Sequence, residues 1–331
     1  MKRTSRDLQT TGAEMAAAVI DRFGPPSVLH LGRVPVPEPG PNEVLIALHA
    51  AGVGSWDESI RDGSWRFGRT RFPLVIGTDG AGVVVAKGSR VKRFRIGDHV
   101  YAASTENARG GYYAQYIAAS ETHVARVPRR LDFVHAAALV YPGLTALRGV
   151  NDILGVRRGE TVLIFGASGA VGTLAVQMAK YRGARVIATA SARRAQSVLR
   201  QLGASAVVDA RDPHMVDALV KLAPDGIDVV LALAGGNELE RCLALVPRGG
   251  RVAYPNGIEP EPRRTRGIRF RSYDARNSVR ELTRLARMVE AARLRVPIAA
   301  IFPLARAAAA HRRQHEHVIG RIVLRIRRNS H

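Results

Sequence analysis

One stretch limits what this chain can fold into more than any other: Thr161-Val-Leu-Ile-Phe-Gly166-Ala-Ser-Gly169-Ala-Val-Gly172, continued by Thr173-Leu-Ala-Val-Gln-Met-Ala-Lys180. A short apolar run, a glycine turn and a helical period succeed one another without a gap, which predicts a buried strand at 161 to 165 turning directly into a helix over 170 to 181. Val171, Leu174, Ala175 and Met178 share one face of that helix, and Arg185-Val-Ile-Ala-Thr189 supplies the second strand of a βαβ unit. Such a turn cradles a dinucleotide. Glycine leaves room for the pyrophosphate, while the free N–H groups and positive dipole end of the following helix face its charge.

The alternation continues. Strands at 206 to 209, 227 to 231 and 251 to 254 interleave with helices at 192 to 202, 214 to 222 and 237 to 244, the pattern of a doubly wound parallel sheet. A helix over 278 to 292, with Val279, Leu282, Leu285, Ala286 and Val289 on one side, is expected to cover that sheet. Before residue 140 the character differs: Ala16–Ile20, Val44–Leu48, Gly82–Ala86 and Asp98–Ala102 are short strand-like runs broken by Gly and Pro, which suggests a β-rich, barrel-like domain. The tail Gly320-Arg-Ile-Val-Leu-Arg-Ile326 is again strand-like, and the polar residues 1 to 14 are expected to be disordered.

With 331 residues, 46% of them hydrophobic, the chain exceeds what one core usually holds, so two domains are expected. There is no run of 18 apolar residues and no apolar leader core at the start, so a soluble, cytoplasmic protein is expected. The single cysteine, Cys242, excludes an internal disulfide and any site built on several thiolates; it is expected to be a small core residue. The net charge of +22 is carried almost wholly by arginine, since only five of the 50 basic residues are lysine. Residues 251 to 331 hold 19 arginines against six acids, and the run Arg263-Arg-Thr-Arg-Gly-Ile-Arg-Phe-Arg271 keeps a nucleic-acid partner in consideration. Against that partner, the sequence carries no helix-turn-helix, zinc-finger or aromatic RNA-binding signature.

Several further motifs occur in a fixed order: Ala50-Ala-Gly-Val-Gly54, Ile60-Arg-Asp-Gly63, Gly77-Thr-Asp-Gly-Ala-Gly82, Val91-Lys-Arg-Phe-Arg-Ile-Gly-Asp98, Pro142-Gly-Leu-Thr-Ala146, Gly166–Gly172, Leu202-Gly-Ala204 and Pro247-Arg-Gly-Gly-Arg251. From Met15 onward the chain thereby resembles the zinc-free medium-chain dehydrogenase/reductases of the quinone oxidoreductase-like (zeta-crystallin-like) branch. The resemblance implies an α/β protein with a GroES-like β-barrel domain, residues 15 to 140 and 296 to 331, and an inserted Rossmann domain, 141 to 295. It also implies a cleft where NAD(P)H meets a small-molecule substrate, and a dimer or tetramer, of which a homodimer is expected; with no apolar run of spanning length, no membrane partner is expected.

In zinc-dependent relatives a cysteine, a histidine and a third ligand stand where this chain has Gly54, Thr78 and Tyr141, and none of these offers a thiolate or imidazole. No metal is expected, and His49, His99, His123 and His135 form no spaced cluster. A Rossmann unit that selects NAD usually ends its second strand in an acid that repels a 2′-phosphate. Here Ala188-Thr-Ala-Ser191-Ala-Arg193-Arg194 has none, while Ser191 can donate to a phosphate and Arg194, or Arg193, can grip it bidentately. The expected cofactor is NADPH. The resemblance places it against Gly166, Ala167, Ser168, Gly169, Ala170, Val171 and Gly172, and against Thr145, Ala234, Gly235, Tyr254, Pro255 and Asn256.

The expected reaction is zinc-independent hydride transfer to a quinone or α,β-unsaturated carbonyl, because charge then spreads to a carbonyl oxygen that hydrogen bonds can hold. A carbonyl or alcohol oxidoreductase of the same fold is one alternative. A cofactor-sensing or nucleic-acid-binding protein without turnover is another. Tyr141, Ser55 and Trp56 are the candidate catalytic residues, with Ser59, Trp65 and Thr78 beside them. Asp57 and Asp79 are expected to cap or to pair with arginines. Where this chain has Gly54 and Ser59, quinone reductases of the family often carry Asn and Tyr, which removes two polar groups from the expected pocket.

Overall fold

The computed structural model describes residues 12–66, 70–104, 110–316 and 318–327. The chain forms two compact units, one of Met1–Tyr141, Asn277–Arg287 and Ile298–His331, the other of Pro142–Arg276 and Met288–Pro297. The expected disorder of residues 1 to 14 falls mainly outside the described residues, and Glu14 already belongs to the first strand.

The first unit is β-rich. Its strands are β1 (Glu14–Ile20), β2 (His30–Pro35), β3 (Glu43–Val53), β4 (Leu74–Val75), β5 (Asp79–Lys87), β6 (His99–Ala103), β7 (Tyr116–Ser120), β8 (Val124–Arg126), β15 (Ile298–Pro303) and β16 (Arg321–Arg325). One sheet runs β2-β1-β4, and a larger one runs β15-β16-β3-β5-β6-β8, with β7 also paired to β3. The eleven-residue β3 holds the large sheet together, antiparallel to β5, β7 and β16. Its residues Val44, Ile46 and Leu48 alternate into a core with Ile20, Val84, Phe94, Tyr112, Ile322 and Leu324. At ~25 cal/mol per Å² of apolar area, each of these branched side chains contributes about 1.5–3 kcal/mol by leaving water. Two helices belong to this unit's end of β3: α1 (Ser55–Asp62), which starts where the strand stops, and α8 (Ala307–Gln314), whose Ala307 and Ala310 enter the same core.

The second unit is a six-stranded parallel sheet made of β9 (Thr161–Phe165), β10 (Arg185–Thr189), β11 (Ala206–Val208), β12 (Val229–Ala232), β13 (Arg251–Pro255) and β14 (Arg269–Tyr273), ordered β11-β10-β9-β12-β13-β14. The connecting helices are α3 (Ala170–Tyr181), α4 (Arg193–Leu202), α5 (Met215–Leu222) and α6 (Asn237–Leu243). The doubly wound sheet is therefore present, and its order reverses between β9 and β12, where such sheets bind ligands beyond their carboxyl ends. Cys242 lies in the core among Met215, Leu219 and Leu239.

Three expectations change. The helix α3 is buried from Gly172 to Ala179 rather than along one face. The one long polar residue of that buried span, Gln177, is satisfied by donating to Thr173 O and Arg295 O and accepting from Arg295 N, each at 2.8 Å. The helix α7 (Val279–Ala291) does not simply cover the parallel sheet. Its first part, to Arg287, belongs to the barrel unit, where the buried Tyr101 hydroxyl donates to Leu282 O at 2.6 Å and Asn277 donates to Ala103 O. Finally, part of the basic run is a strand: in β14 Arg269 and Arg271 stay exposed while Phe270 packs toward the core.

The helix α2 (Phe133–Leu147) continues through a π-helical turn, Arg148–Ile153. The 21 residues Phe133–Ile153 are long and apolar enough to cross a membrane by length and composition, at a mean hydropathy of 1.2, yet 67% buried inside the protein. That burial is what a core helix shows.

Candidate functional site

The cradle in the second unit is built by one sharp turn. Gly166 takes φ 79°, a left-handed conformation that favours glycine, and its N–H donates to Thr189 Oγ1 at 2.8 Å. Ala167 N then donates to Thr189 O, tying the turn to the end of β10, and Leu233 N donates to Phe165 O, tying it to the end of β12. Gly172 is required for a different reason. A Cβ there would stand 2.5 Å from the Ala167 backbone, so the helix can approach the turn only without one.

Gly169 caps α3, and a Cβ at that position would meet nothing within 4 Å. Space is therefore open above the helix end. The first intrahelical bond here is Thr173 N to Gly169 O, so the N–H groups of Ala170, Val171 and Gly172 have no helical acceptor. An open glycine cap, three unclaimed donors and a positive helix end suit the pyrophosphate of a dinucleotide. Ser168 lies half-buried in the same turn.

The end of β10 carries the second group. Ser191 is half-buried, and Arg193 and Arg194 are exposed in the first turn of α4, which contains no acid. The other expected contacts divide. Ala234 and Gly235 follow β12 half-buried, with Gly235 against the Pro260 backbone, which leaves no room for a side chain there. Thr145 O accepts from Tyr273 Oη at 3.1 Å. Pro255 is half-buried, and Asn256 is exposed and donates to Asp274 at 2.7 Å. Tyr254 departs from expectation: its ring is 1% exposed in the sheet's own core and its hydroxyl donates to Glu261 at 3.3 Å, so it offers no free side chain.

In the first unit, the turn Val53-Gly54-Ser55 joins β3 to α1 and presents Ser55 and Trp56, both exposed. Trp56 and Trp65 meet edge to face with centroids 5.6 Å apart. Tyr141 is half-buried, and its backbone N–H donates to Asp79 Oδ2 at 3.0 Å. Thr78 is 2% exposed. Asp57 and Asp79 are both fully buried: Asp57 accepts the Gly54 N–H at 2.8 Å, and Asp79 pairs with Arg321 at 2.8 Å. Capping and arginine pairing are thus the roles seen. Burial raises both carboxyls, Asp57 to about 7, and the Arg321 guanidinium opposes the rise.

Four participants were not legible in the sequence: Arg61, Tyr113, His311 and Arg321. Each is nearly or wholly buried, and two are arginines, a type the chain scatters widely. Among the described residues no group of three or more His, Cys, Asp or Glu side chains could hold a metal. His49 and His99 instead stack on Phe133, at 4.3 and 4.8 Å between centroids.

A barrel unit and a doubly wound sheet carrying a dinucleotide cradle define a two-domain, dinucleotide-binding class. Residues 40–129 match the family described as alcohol dehydrogenase GroES-like domain, and residues 202–324 the family described as zinc-binding dehydrogenase. The quinone oxidoreductase of Sus scrofa is 35% identical over 314 residues, covering 91% of this chain and 94% of that protein. A crystal structure described as an NAD-dependent alcohol dehydrogenase is 32% identical with a TM-score of 0.87, covering 95% of this chain and all of that one. The quinone oxidoreductase structure from Coxiella burnetii is also 32% identical, with a TM-score of 0.84 and the same coverage. The chain belongs to the medium-chain dehydrogenase/reductase family, and is an oxidoreductase with a GroES-like domain and a Rossmann domain for a nicotinamide dinucleotide.

Proposed function

We propose that this chain is an NADPH-dependent, zinc-independent reductase that transfers hydride to a quinone or an α,β-unsaturated carbonyl. The observation that carries the cofactor choice is the end of β10. Two exposed arginines, Arg193 and Arg194, occupy the first turn of α4 with no acid there. Cations at the positive end of a helix are unfavourable by ~0.3–1 kcal/mol each, and a bound phosphate reverses that sign. The segment from Ala188 to Gln196 holds no acid that would repel a 2′-phosphate. Zinc independence is supported by the donor set, since Gly54, Thr78 and Tyr141 include neither thiolate nor imidazole.

When bound, the dinucleotide supplies a hydride from its reduced ring. The chain's own part is to hold it, through the N–H groups at the start of α3 and the Ser191, Arg193 and Arg194 side chains. Ser55 and Tyr141 carry hydroxyls able to donate to a developing oxyanion, and Trp56 with Trp65 offers an apolar face to a planar acceptor. The sequence similarity to quinone oxidoreductases supports the acceptor class. The likeness to an alcohol dehydrogenase favours, as a second reading, a carbonyl or alcohol substrate for the same fold.

Fluorescence titration of NADPH against NADH, a panel of quinones, enones, aldehydes and alcohols, and a metal assay on the same preparation test the proposal together. Tighter NADPH binding and turnover of quinones or enones at substoichiometric zinc are expected. Equal affinity for NADH, or activity that tracks bound zinc, overturns it.

A further inference from the structure

Behind the Val53-Gly54-Ser55 turn lies a chain of buried polar groups whose protons can be placed by donor counting. Arg61 NH1 stands 2.8 Å from His311 Nδ1, and an arginine can only donate, so Nδ1 accepts. His311 therefore carries its proton on Nε2, which stands 3.2 Å from the Tyr113 hydroxyl. That oxygen accepts from Nε2 and sends its own proton to Asp57 Oδ2 at 3.2 Å. The wire runs one way, from a guanidinium to a carboxyl, and His311 is neutral within it; burial, then Arg61, then His315 hold its pKa down to about 3.

Asp57 Oδ2 thus receives two donors, Tyr113 Oη and the Gly54 N–H. Oδ1 is buried without a hydrogen-bond partner, and the Thr78 side chain, a polar neighbour of the carboxyl, lowers its pKa least of the groups around it. The charged groups facing Asp57 from other elements are Asp79 of β5 and Arg321 of β16, and Arg321 is already committed to Asp79 at 2.8 Å. Its own helix adds Glu58 and Arg61; Glu58 lies toward His315, and Arg61 turns to His311 and Gly24 O. One guanidinium beside two fully buried carboxyls compensates a single negative charge. A proton on Oδ1 removes the excess charge and gives the orphan oxygen a hydrogen to donate to Thr78.

The same turn is held from a second direction. With the Gln314 amide assigned so that both its ends are satisfied, it donates to Val53 O at 3.2 Å and accepts from Ser55 N at 3.0 Å. His311 and Gln314 sit three residues apart on α8, one acting through Tyr113 and Asp57, the other directly.

We propose that Asp57 is a positioning residue that holds the Val53-Gly54-Ser55 turn as a neutral carboxylic acid, with its proton on Oδ1, and that loss of this proton limits the enzyme on the alkaline side. The second clause rests on the reductase reading; the first does not. Two measurements on the full chain separate them.

Thermal unfolding of wild type and Asp57→Asn is compared from pH 5 to 8.5. Asn keeps an acceptor for Gly54 and Tyr113 and a donor toward Thr78. An acid held protonated in the fold, but ionised at about 4 when unfolded, stabilises less as pH rises through its folded value. The advantage of Asp57→Asn should therefore grow from pH 5 to about 7 and then level. A constant offset overturns the proposal.

Turnover of NADPH with the best acceptor should fall above neutral pH in wild type and stay flat in Asp57→Asn. Tyr113→Phe, which removes a donor to Oδ2, should move the wild-type break to higher pH. A break unmoved in both variants also overturns it. If Asp57→Asn does not fold, infrared titration decides. A protonated-carboxyl band lost between pH 6 and 8.5, and lost later in Tyr113→Phe, supports the assignment, and no such band at pH 6 sinks it. If the unfolding difference appears and no acceptor is reduced, the reductase reading fails alone.

Discussion

At the scale of single residues, the contrast between Arg194 and Arg321 shows how the setting of a guanidinium decides its role. Arg194 is exposed at a helix start, so its removal should leave the fold intact and be felt only by an anion. Arg194→Ala is expected to weaken NADPH about 10- to 100-fold, the ~1.5–3 kcal/mol of a hydrogen bond to a charged group, and to leave NADH nearly unchanged. Fluorescence titration reads both, and equal losses would mean that the 2′-phosphate is recognised elsewhere. Arg321 is 4% exposed and faces the fully buried Asp79. Arg321→Met strands that carboxyl, at an expected cost of ~3–5 kcal/mol in urea unfolding, because an uncompensated buried charge costs more than a missing pair. Asp79→Asn combined with Arg321→Met should recover much of the loss. A single-variant cost below about 0.5 kcal/mol would show that Asp79 is already neutral without its arginine.

At the scale of elements, legibility followed locality. The β9–α3–β10 unit could be read because its strand, turn and helix signals lie within thirty neighbouring positions and agree with one another. The strand β14 could not, because Arg269 and Arg271 sit on a sheet edge where alternation leaves them in solvent, so the run looked only basic. The first part of α7 went to the barrel because the buried Tyr101 hydroxyl takes Leu282 O, a contact spanning 181 residues that no periodicity reports. Asp57 was legible only as a residue that caps or pairs with an arginine, and its link to His311, 198 residues from Tyr113, was not legible. The cradle gives a paired test of the element that was read. Gly169→Ala points its methyl into open space, so stability should stay within ~0.5 kcal/mol while NADPH affinity falls at least tenfold, since that space is where the pyrophosphate is proposed to lie. Gly172→Ala pushes into the Ala167 backbone and should itself destabilise by ~1–3 kcal/mol. Unchanged NADPH binding in Gly169→Ala would move the dinucleotide away from this turn.

At the scale of the whole molecule, the excess of 50 basic over 28 acidic residues acts on folding and on binding in opposite senses. The stretch from Arg263 to Arg271 exposes arginines at five positions, and the one carboxylate seen against it among the described residues, that of Glu240, accepts the Arg263 backbone N–H at 2.9 Å. Like charges at this density repel one another across a folded surface more than along an expanded chain, so the compact state carries the larger penalty. Salt shortens the range of that repulsion from about 30 Å at 0.01 M to about 8 Å at 0.15 M. The midpoint of thermal unfolding is therefore expected to rise by several degrees as NaCl goes from 10 to 300 mM, while an uncharged osmolyte matched in osmolality should not reproduce the rise at low salt. NADPH affinity should move the other way over the same range, because the contact proposed between Arg193, Arg194 and the 2′-phosphate would itself be screened, and NADH, lacking that phosphate, should be less sensitive. Opposite slopes in one buffer series place the surplus charge on the surface at large and the phosphate recognition at the end of β10. A midpoint that falls with salt would instead mean that exposed ion pairs such as Arg126–Asp98 and Arg33–Glu14 outweigh the repulsion.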